Sequence, residues 1–143
     1  MTLPAVDGGD GVPPQPDWIK FFSRKLDRAR AAEYWGVIVR ELRAAEKLSV
    51  ANGHAIIRLV VAYVNFDRSA KEVAKLGPVM KAPRTKVPTY NPWWTTMQNA
   101  ASAAAAAEKD LCLSPRDRGA GAKVTTRKRK PSAATAYLRP VAE

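Results

Sequence analysis

The sequence has few of the residues that build catalytic and metal centres. It contains a single cysteine, Cys112, and a single histidine, His54. One cysteine excludes an internal disulfide, and two good sulfur and nitrogen donors are too few for a zinc site. We therefore predict no catalytic residue, no metal and no cofactor. A nucleophile–base pair of Cys112 and His54 is the enzymatic alternative that remains open.

Long apolar runs and targeting signals are also missing. The longest apolar run, residues 55–64, contains Arg58 and is far shorter than the roughly 20 residues that a membrane helix needs. The first residues lack the basic and apolar regions of a signal peptide. These absences predict a protein that does not contact a membrane and that works in a reducing cytosol.

Positive charge is the most prominent feature that is present. The formal net charge is +11, from 24 Lys and Arg against 13 Asp and Glu. Such an excess attracts polyanions and suits the release of counterions from a nucleic acid. RNA and anionic membranes remain open on charge alone. Two clusters are predicted to bind nucleic acid: Lys20, Arg24, Lys25, Arg28 and Arg30 near the first helix, and Lys123, Arg127, Lys128, Arg129 and Lys130 in the tail.

Both basic clusters have alternative interpretations. The first is equally consistent with a solvated helix face that Asp17, Asp27 and Glu33 partly neutralise. The run Arg127–Lys130 carries no sequence specificity for DNA, and in a eukaryotic protein it would fit a nuclear-import signal. Net charge therefore predicts a polyanionic partner but does not identify the residues that bind it.

The spacing of apolar residues predicts an all-α fold. A short helix is expected over residues 18–25 with Asp17 as its N-cap, followed by a helix over residues 27–47. A long helix is expected over residues 50–76, and Gly77-Pro78 ends it. A basic loop, with a short hairpin as an option, covers residues 78–90. Asn91-Pro92 then begins a helix that ends at residues 111–113.

The middle of the long helix is apolar on nearly every face. Ile56, Leu59 and Tyr63 follow a heptad-like stripe, whereas other Ile and Val residues fall outside it. A chain this short has too little structure to cover every face, so we predict burial against other copies of itself. The predicted oligomer interface comprises Ile57, Val60, Val61, Val64 and Trp94. A buried strand is the alternative, but the length of the segment and its capping residues favour a helix.

Composition divides the chain into three segments. Residues 1–16 are rich in Gly and Pro and are predicted to form a flexible N-terminal arm. Residues 17–113 are predicted to form the helical domain for DNA binding and oligomerisation. Residues 114–143 are predicted to form a disordered basic tail, which has eight Lys and Arg against Asp117 and Glu143.

The order of these elements resembles the small subunit of the tailed-phage terminase. The likeness covers roughly residues 32–124. It includes the helix that contains Tyr34-Trp35, the long helix that ends at Gly77-Pro78, and the helix start at Asn91-Pro92-Trp93. The run Leu111-Cys112-Leu113-Ser114-Pro115-Arg116-Asp117-Arg118 is similar to the ending Leu-Gly-Leu-Ser/Thr-Pro-x-x-Arg of that family. The chain departs from the family pattern where Cys112 replaces the usual Gly and where Gly53 lies at the start of the long helix.

The resemblance implies a fold and a function. The fold is a hairpin of long helices with a third, C-terminal helix, assembled as a homo-oligomeric ring. The ring binds viral double-stranded DNA at the packaging start site in the host cytoplasm and recruits the large subunit, which carries the ATPase and the nuclease. The alternatives are another oligomeric DNA-binding regulator, of helix-turn-helix type, and a nuclear protein with a basic tail.

Overall fold

The computed structural model of the protein describes residues 6–7, 11–119 and 123–125. Three helices dominate it: α1 Lys25–Ala44, α2 Gly53–Leu76 and α3 Pro92–Asp110. Four short strands accompany them: β1 Val6–Asp7, β2 Val79–Lys81, β3 Pro88–Tyr90 and β4 Val124–Thr125. β1 pairs in parallel with β4, and β2 pairs in antiparallel fashion with β3. The chain is mostly helical as predicted. β2 and β3 form the short hairpin that was an option for residues 78–90, whereas the pairing of β1 with β4 was not predicted and departs from the all-α expectation.

The hydrophobic core forms where α2 packs against both α1 and α3. α1 contributes Ala31, Trp35, Ile38 and Leu42, which recur every three or four residues and are all buried, as the sequence predicts. A hydrogen bond between side chains links each outer helix to α2, from Tyr34 to Asp67 and from Tyr63 to Glu108. α2 is therefore the central element of the domain.

The central position of α2 corrects part of the oligomer prediction. Val60 and Val64 are 0% and 1% exposed within a single chain, as members of the core. Because α1 and α3 cover two different faces of α2, these two valines do not need a second copy to remove them from water. Ile57 and Val61 are only partly buried. The oligomer interface itself stays a prediction.

α3 packs on α2 through small side chains. Ala100, Ala104 and Ala107 are its buried residues, and Leu111 continues the same stripe just beyond the helix. Alanine has the highest helix propensity, and its short side chain lets two helices approach closely. Trp94, Met97 and Ala101 are only partly buried.

The N-terminal capping predictions are confirmed. The side chain of Asp17 accepts a hydrogen bond from the backbone N–H of Ile19 at 3.1 Å, and that of Asn91 accepts one from Trp93 at 3.0 Å. The helix predicted over residues 18–25 is wrong. Only a 3₁₀ turn, Trp18–Lys20, forms, and α1 begins at Lys25 after an extended Arg24. The chain turns there because Trp18 packs against Trp35 of α1 with ring centroids 6.0 Å apart, whereas one continuous helix would separate the two residues by about 25 Å.

Two helices end on residues with positive φ that are not glycine. Glu46 after α1 has φ 57°, and Cys112 after α3 has φ 54°. In each case the next backbone N–H bonds back to a carbonyl five residues earlier, at 2.8 Å from Lys47 to Leu42 and at 2.8 Å from Leu113 to Glu108. This hydrogen bond defines a Schellman C-cap, whose left-handed residue is usually glycine.

Parts of the predicted arm and tail lie against the helical domain. Pro13 is buried, and a Cβ added to Gly53 would lie 3.2 Å from its Cβ. The backbone N–H of Val124 donates to the carbonyl of Glu46 at 2.6 Å, and the Lys47 ammonium donates to the carbonyl of Arg118 at 2.9 Å. The arm and tail predictions remain untested for residues 1–5, 8–10, 120–122 and 126–143, which lie outside the described residues.

Candidate nucleic-acid interface

A basic cleft lies between the start of α1 and the C-terminal half of α2. Its volume is 280 Å³. Five cations line this cleft: Arg24, Arg30, Arg68, Lys71 and Lys75. Leu26, Ala74 and two acidic residues, Asp27 and Glu72, complete the lining. The cations outnumber the carboxylates, so the cleft presents a positive surface that attracts phosphate groups.

α2 supplies the larger share of these cations. Arg68, Lys71 and Lys75 follow one another at intervals of three and four residues, which places them on one face of the helix. The Arg68 guanidinium lies over the ring of Trp93, 5.5 Å from the centroid, so α3 holds it in place by a cation–π contact. Lys75 pairs with Glu72 at 3.1 Å. Because its side chain remains mostly exposed, this pair is a weak constraint.

The structure brings together only part of the first predicted cluster. Arg24 and Arg30 both line the cleft. Lys20 belongs to the 3₁₀ turn and Lys25 to the first residue of α1, and neither lines it. Arg28 donates to the backbone carbonyl of Ser23 at 3.1 Å. Lys20 and Arg28 belong to different elements, so the first cluster does not form one helix face.

The second predicted cluster is described only at Lys123. Its ammonium lies 2.9 Å from the Glu46 carboxylate, and this hydrogen-bonded pairing raises the pKa of Lys123 above its ordinary value. Both side chains are largely exposed, so the pair does not prevent Lys123 from meeting a phosphate. Arg127, Lys128, Arg129 and Lys130 lie outside the described residues.

The cations that α2 contributes were missed by the sequence prediction. Their helical spacing was visible, but they occur at the end of an apolar helix among Glu72 and Asp67, where a solvated face is the simpler interpretation. Only the antiparallel packing of α1 on α2 shows that Arg24 and Arg30 stand opposite them. That juxtaposition is tertiary information, which a single sequence does not contain.

An apolar groove of 640 Å³ runs between α2 and α3. Ile57, Val61, Phe21 and the alanines Ala103 and Ala106 are among its lining residues. Arg58 and Asp110, also in the lining, approach to 4.0 Å and remain well exposed.

Trp94 is half-buried in the first turn of α3 and does not line the groove. The groove therefore unites only two of the five predicted interface residues, Ile57 and Val61.

Within residues 6–7, 11–119 and 123–125, no three His, Cys, Asp or Glu side chains are grouped so that they could hold a metal ion. No helix in this part of the chain is long and apolar enough to cross a bilayer.

Comparison with known proteins adds one positive finding. A family model described as phage terminase, small subunit, matches residues 31–128. The matched range contains Arg68, Lys71 and Lys75 of the cleft, whereas Arg24 and Arg30 precede it. No curated protein and no solved structure matches the chain.

Proposed function

Because this chain belongs to the phage terminase small subunit family, we propose that it binds viral double-stranded DNA as an oligomer at the start of genome packaging. It delivers that DNA to the terminase large subunit and regulates it. In this proposal the large subunit supplies the ATPase and the nuclease, and the present chain performs no catalysis. The site of action is the cytoplasm of the bacterial host.

The basic cleft is the observation that carries DNA binding. Arg24, which precedes α1, and Arg30 of α1 face Arg68, Lys71 and Lys75 of α2 across a cavity of 280 Å³. Two rows of cations on opposite walls suit a phosphate backbone better than a single small anion, because successive phosphates can then meet different walls. The tail cations Arg127–Lys130 add contacts that carry no sequence specificity.

Oligomerisation is supported by the apolar groove. Ile57, Val61 and the half-exposed Phe21 present apolar surface to water beside exposed charges of both signs, Arg58 and Asp110. We propose that a second copy of the chain occupies this groove, since a contact between copies buries the apolar residues and lets the rim charges pair across the boundary. An oligomer also multiplies a weak attraction between each subunit and phosphate into useful avidity.

A salt titration tests the role of the cleft. The double variant Arg30→Gln/Lys71→Gln removes one cation from each wall, and Arg43→Gln/Lys109→Gln removes two exposed cations elsewhere as the matched control. Fluorescence anisotropy with a labelled duplex gives the dissociation constant at several salt concentrations. We expect the slope of log K against log salt to fall by about 1.8 in the cleft variant, at about 0.9 for each lost phosphate contact. Equal slopes in the two variants would contradict the proposal.

A further inference from the structure

The hairpin, a two-stranded ribbon of β2 and β3 that connects α2 to α3, is fixed to the domain at its base. Asn91, which is fully buried, holds its base: the backbone N–H donates to Pro78 at 2.9 Å and the side-chain amide donates to Gly77 at 2.9 Å. The side-chain oxygen of the same residue accepts a hydrogen bond from Trp93 at 3.0 Å, so Asn91 joins the hairpin to the start of α3. The direction of the ribbon is therefore set by the two helices it connects.

The strand register separates the hairpin into two faces. Val79 pairs with Tyr90, Met80 with Thr89 and Lys81 with Pro88. Because cross-strand partners share a face and successive residues alternate, Val79, Lys81, Pro88 and Tyr90 stand on the face opposite Met80. Met80 is half-buried, whereas Val79 is 54% and Tyr90 is 73% exposed. The ribbon thus displays an aromatic ring and an aliphatic side chain to solvent.

The far end of the ribbon carries positive charge without compensation. Lys81, Arg84 and Lys86 are exposed, and among the described residues none of them forms an ion pair. No Asp or Glu occurs in the sequence between Glu72 and Glu108. Hydrogen bonds from Ala82 to Val87 at 2.9 Å and from Lys86 to Ala82 at 3.0 Å close the turn that presents them.

We propose that this hairpin enters the major groove of duplex DNA as a second contact, separate from the cleft. The inference rests on the proposed function, since it names a further site for the same ligand. The major groove, about 12 Å wide, accepts a two-stranded ribbon, whereas the minor groove at about 6 Å does not. Lys81, Arg84 and Lys86 meet the phosphates on either side, and Tyr90 and Val79 contact base edges and thymine methyl groups.

An acidic protein is the competing partner for this hairpin. The position of the hairpin beside the cleft favours DNA. The hairpin connects the C-terminal end of α2 to the start of α3, and Lys71 and Lys75 of the cleft belong to the last turns of that same α2. A duplex held in the cleft therefore has the hairpin beside it at the same end of the molecule. Among the residues that the structure describes, no comparable arrangement guides a protein partner to the hairpin.

Guanine methylation tests the inference. Dimethyl sulfate modifies guanine N7, which faces the major groove, so a ribbon in that groove protects it. The full chain is compared with three variants: Lys81→Gln/Arg84→Gln/Lys86→Gln, Tyr90→Ala, and the matched triple Arg43→Gln/Lys109→Gln/Arg116→Gln. All substituted residues are exposed, and circular dichroism verifies that each variant keeps its helical content and melting temperature.

The expected result is protection by the full chain and by the matched triple, with protection lost in the hairpin triple and reduced in Tyr90→Ala. The hairpin triple should also show a slope of log K against log salt that is smaller by up to about 2.7. If the full chain binds DNA but leaves N7 reactive, or if the hairpin variants protect as well as the full chain, the inference is overturned and the role of the cleft stands. If the full chain does not bind DNA, the proposed function falls, and this inference with it.

Discussion

The rings of Tyr34 and Tyr63 lie with their centroids 5.2 Å apart, and each hydroxyl donates to a carboxylate on the next helix. Tyr34 of α1 bonds Asp67 of α2, and Tyr63 of α2 bonds Glu108 of α3, both at 2.5 Å. This tilted pair of rings therefore joins all three helices through two hydrogen bonds to charged acceptors, which are stronger than bonds between neutral groups.

Replacing Tyr63 by Phe should destabilise the domain by about 1 kcal/mol, because the half-buried Glu108 loses its donor while the ring packing is kept. Urea unfolding followed by circular dichroism measures the change. Tyr90→Phe is the control, since Tyr90 is 73% exposed. Equal stability of the two variants would show that the bond to Glu108 contributes nothing.

Stability should fall at alkaline pH through the same residues. The hydrogen bond to Asp67 and burial raise the pKa of Tyr34 from 10.0 to about 12, and burial with the bond to Glu108 raises the pKa of Tyr63 as well. Because both folded-state pKa values exceed those of the unfolded chain, this stabilisation is complete below pH 10 and is lost as the pH rises through the folded pKa. Urea midpoints measured from pH 8 to 12 should decline, and the decline should be smaller in Tyr34→Phe/Tyr63→Phe. An unchanged pH profile in the double variant would rule this out.

Gly36→Ala should stabilise α1 by about 1 kcal/mol, since nothing lies within 4 Å of the added Cβ and glycine is a poor residue for a helix interior. Gly53→Ala is the contrasting variant, because its Cβ meets Pro13 at 3.2 Å and must displace it. Thermal melts of both variants provide the measurement. If Gly53→Ala gains as much as Gly36→Ala, then Pro13 does not restrict the start of α2.

Cys112→Gly should raise stability by about 1 kcal/mol. Cys112 has φ 54°, a left-handed conformation that costs a residue with a Cβ about 1–2 kcal/mol and costs glycine very little. Cys112→Ala removes the thiol but keeps the Cβ, so it should gain nothing. Urea titrations of the two variants separate backbone relief from loss of the thiol, and a gain in Cys112→Ala would assign the effect to the thiol.

Ile57→Asp, in the groove, should reduce the size of the oligomer without unfolding the chain, whereas a charge in the core should unfold it. This substitution places a charge where a second copy is proposed to sit, so we expect a smaller species by light scattering with helical content retained. Val60→Asp, at a fully buried position, should instead lose helical content. A full-sized oligomer of Ile57→Asp would move the interface away from this groove.

Local rules predicted much of the helical framework. The stop at Gly77-Pro78 and the caps at Asp17 and Asn91 follow from the chemistry of a few adjacent residues, and the structure contains all of them. The boundary between residues 18 and 25 was missed because packing of Trp18 on Trp35 of α1 requires the chain to turn before α1 begins. Helix propensity is a weak constraint where a contact between residues distant in sequence decides the path of the chain.

The candidate site was less accessible from sequence. Arg24 and Arg30 were identified by their local density, but Arg68, Lys71 and Lys75 acquire meaning only from the helix that packs opposite them. The fold also accounts for the Gly that the resemblance leads one to expect at the position of Cys112, because the C-cap of α3 needs a positive φ there. A sequence pattern shows that a residue type recurs, and the backbone angle shows the reason.

The alanines of α3 have a further consequence for association. Ordering a side chain at an interface costs conformational entropy, up to about 2 kcal/mol for Lys or Arg but none for Ala. Ala103 and Ala106 form part of the wall of the groove, so these two positions lose no rotamer freedom when another surface covers them. Replacing either alanine by lysine or glutamine would keep the surface polar, but association would then cost more side-chain entropy. At the alanine positions, another surface can therefore cover α3 without the ordering of any side chain.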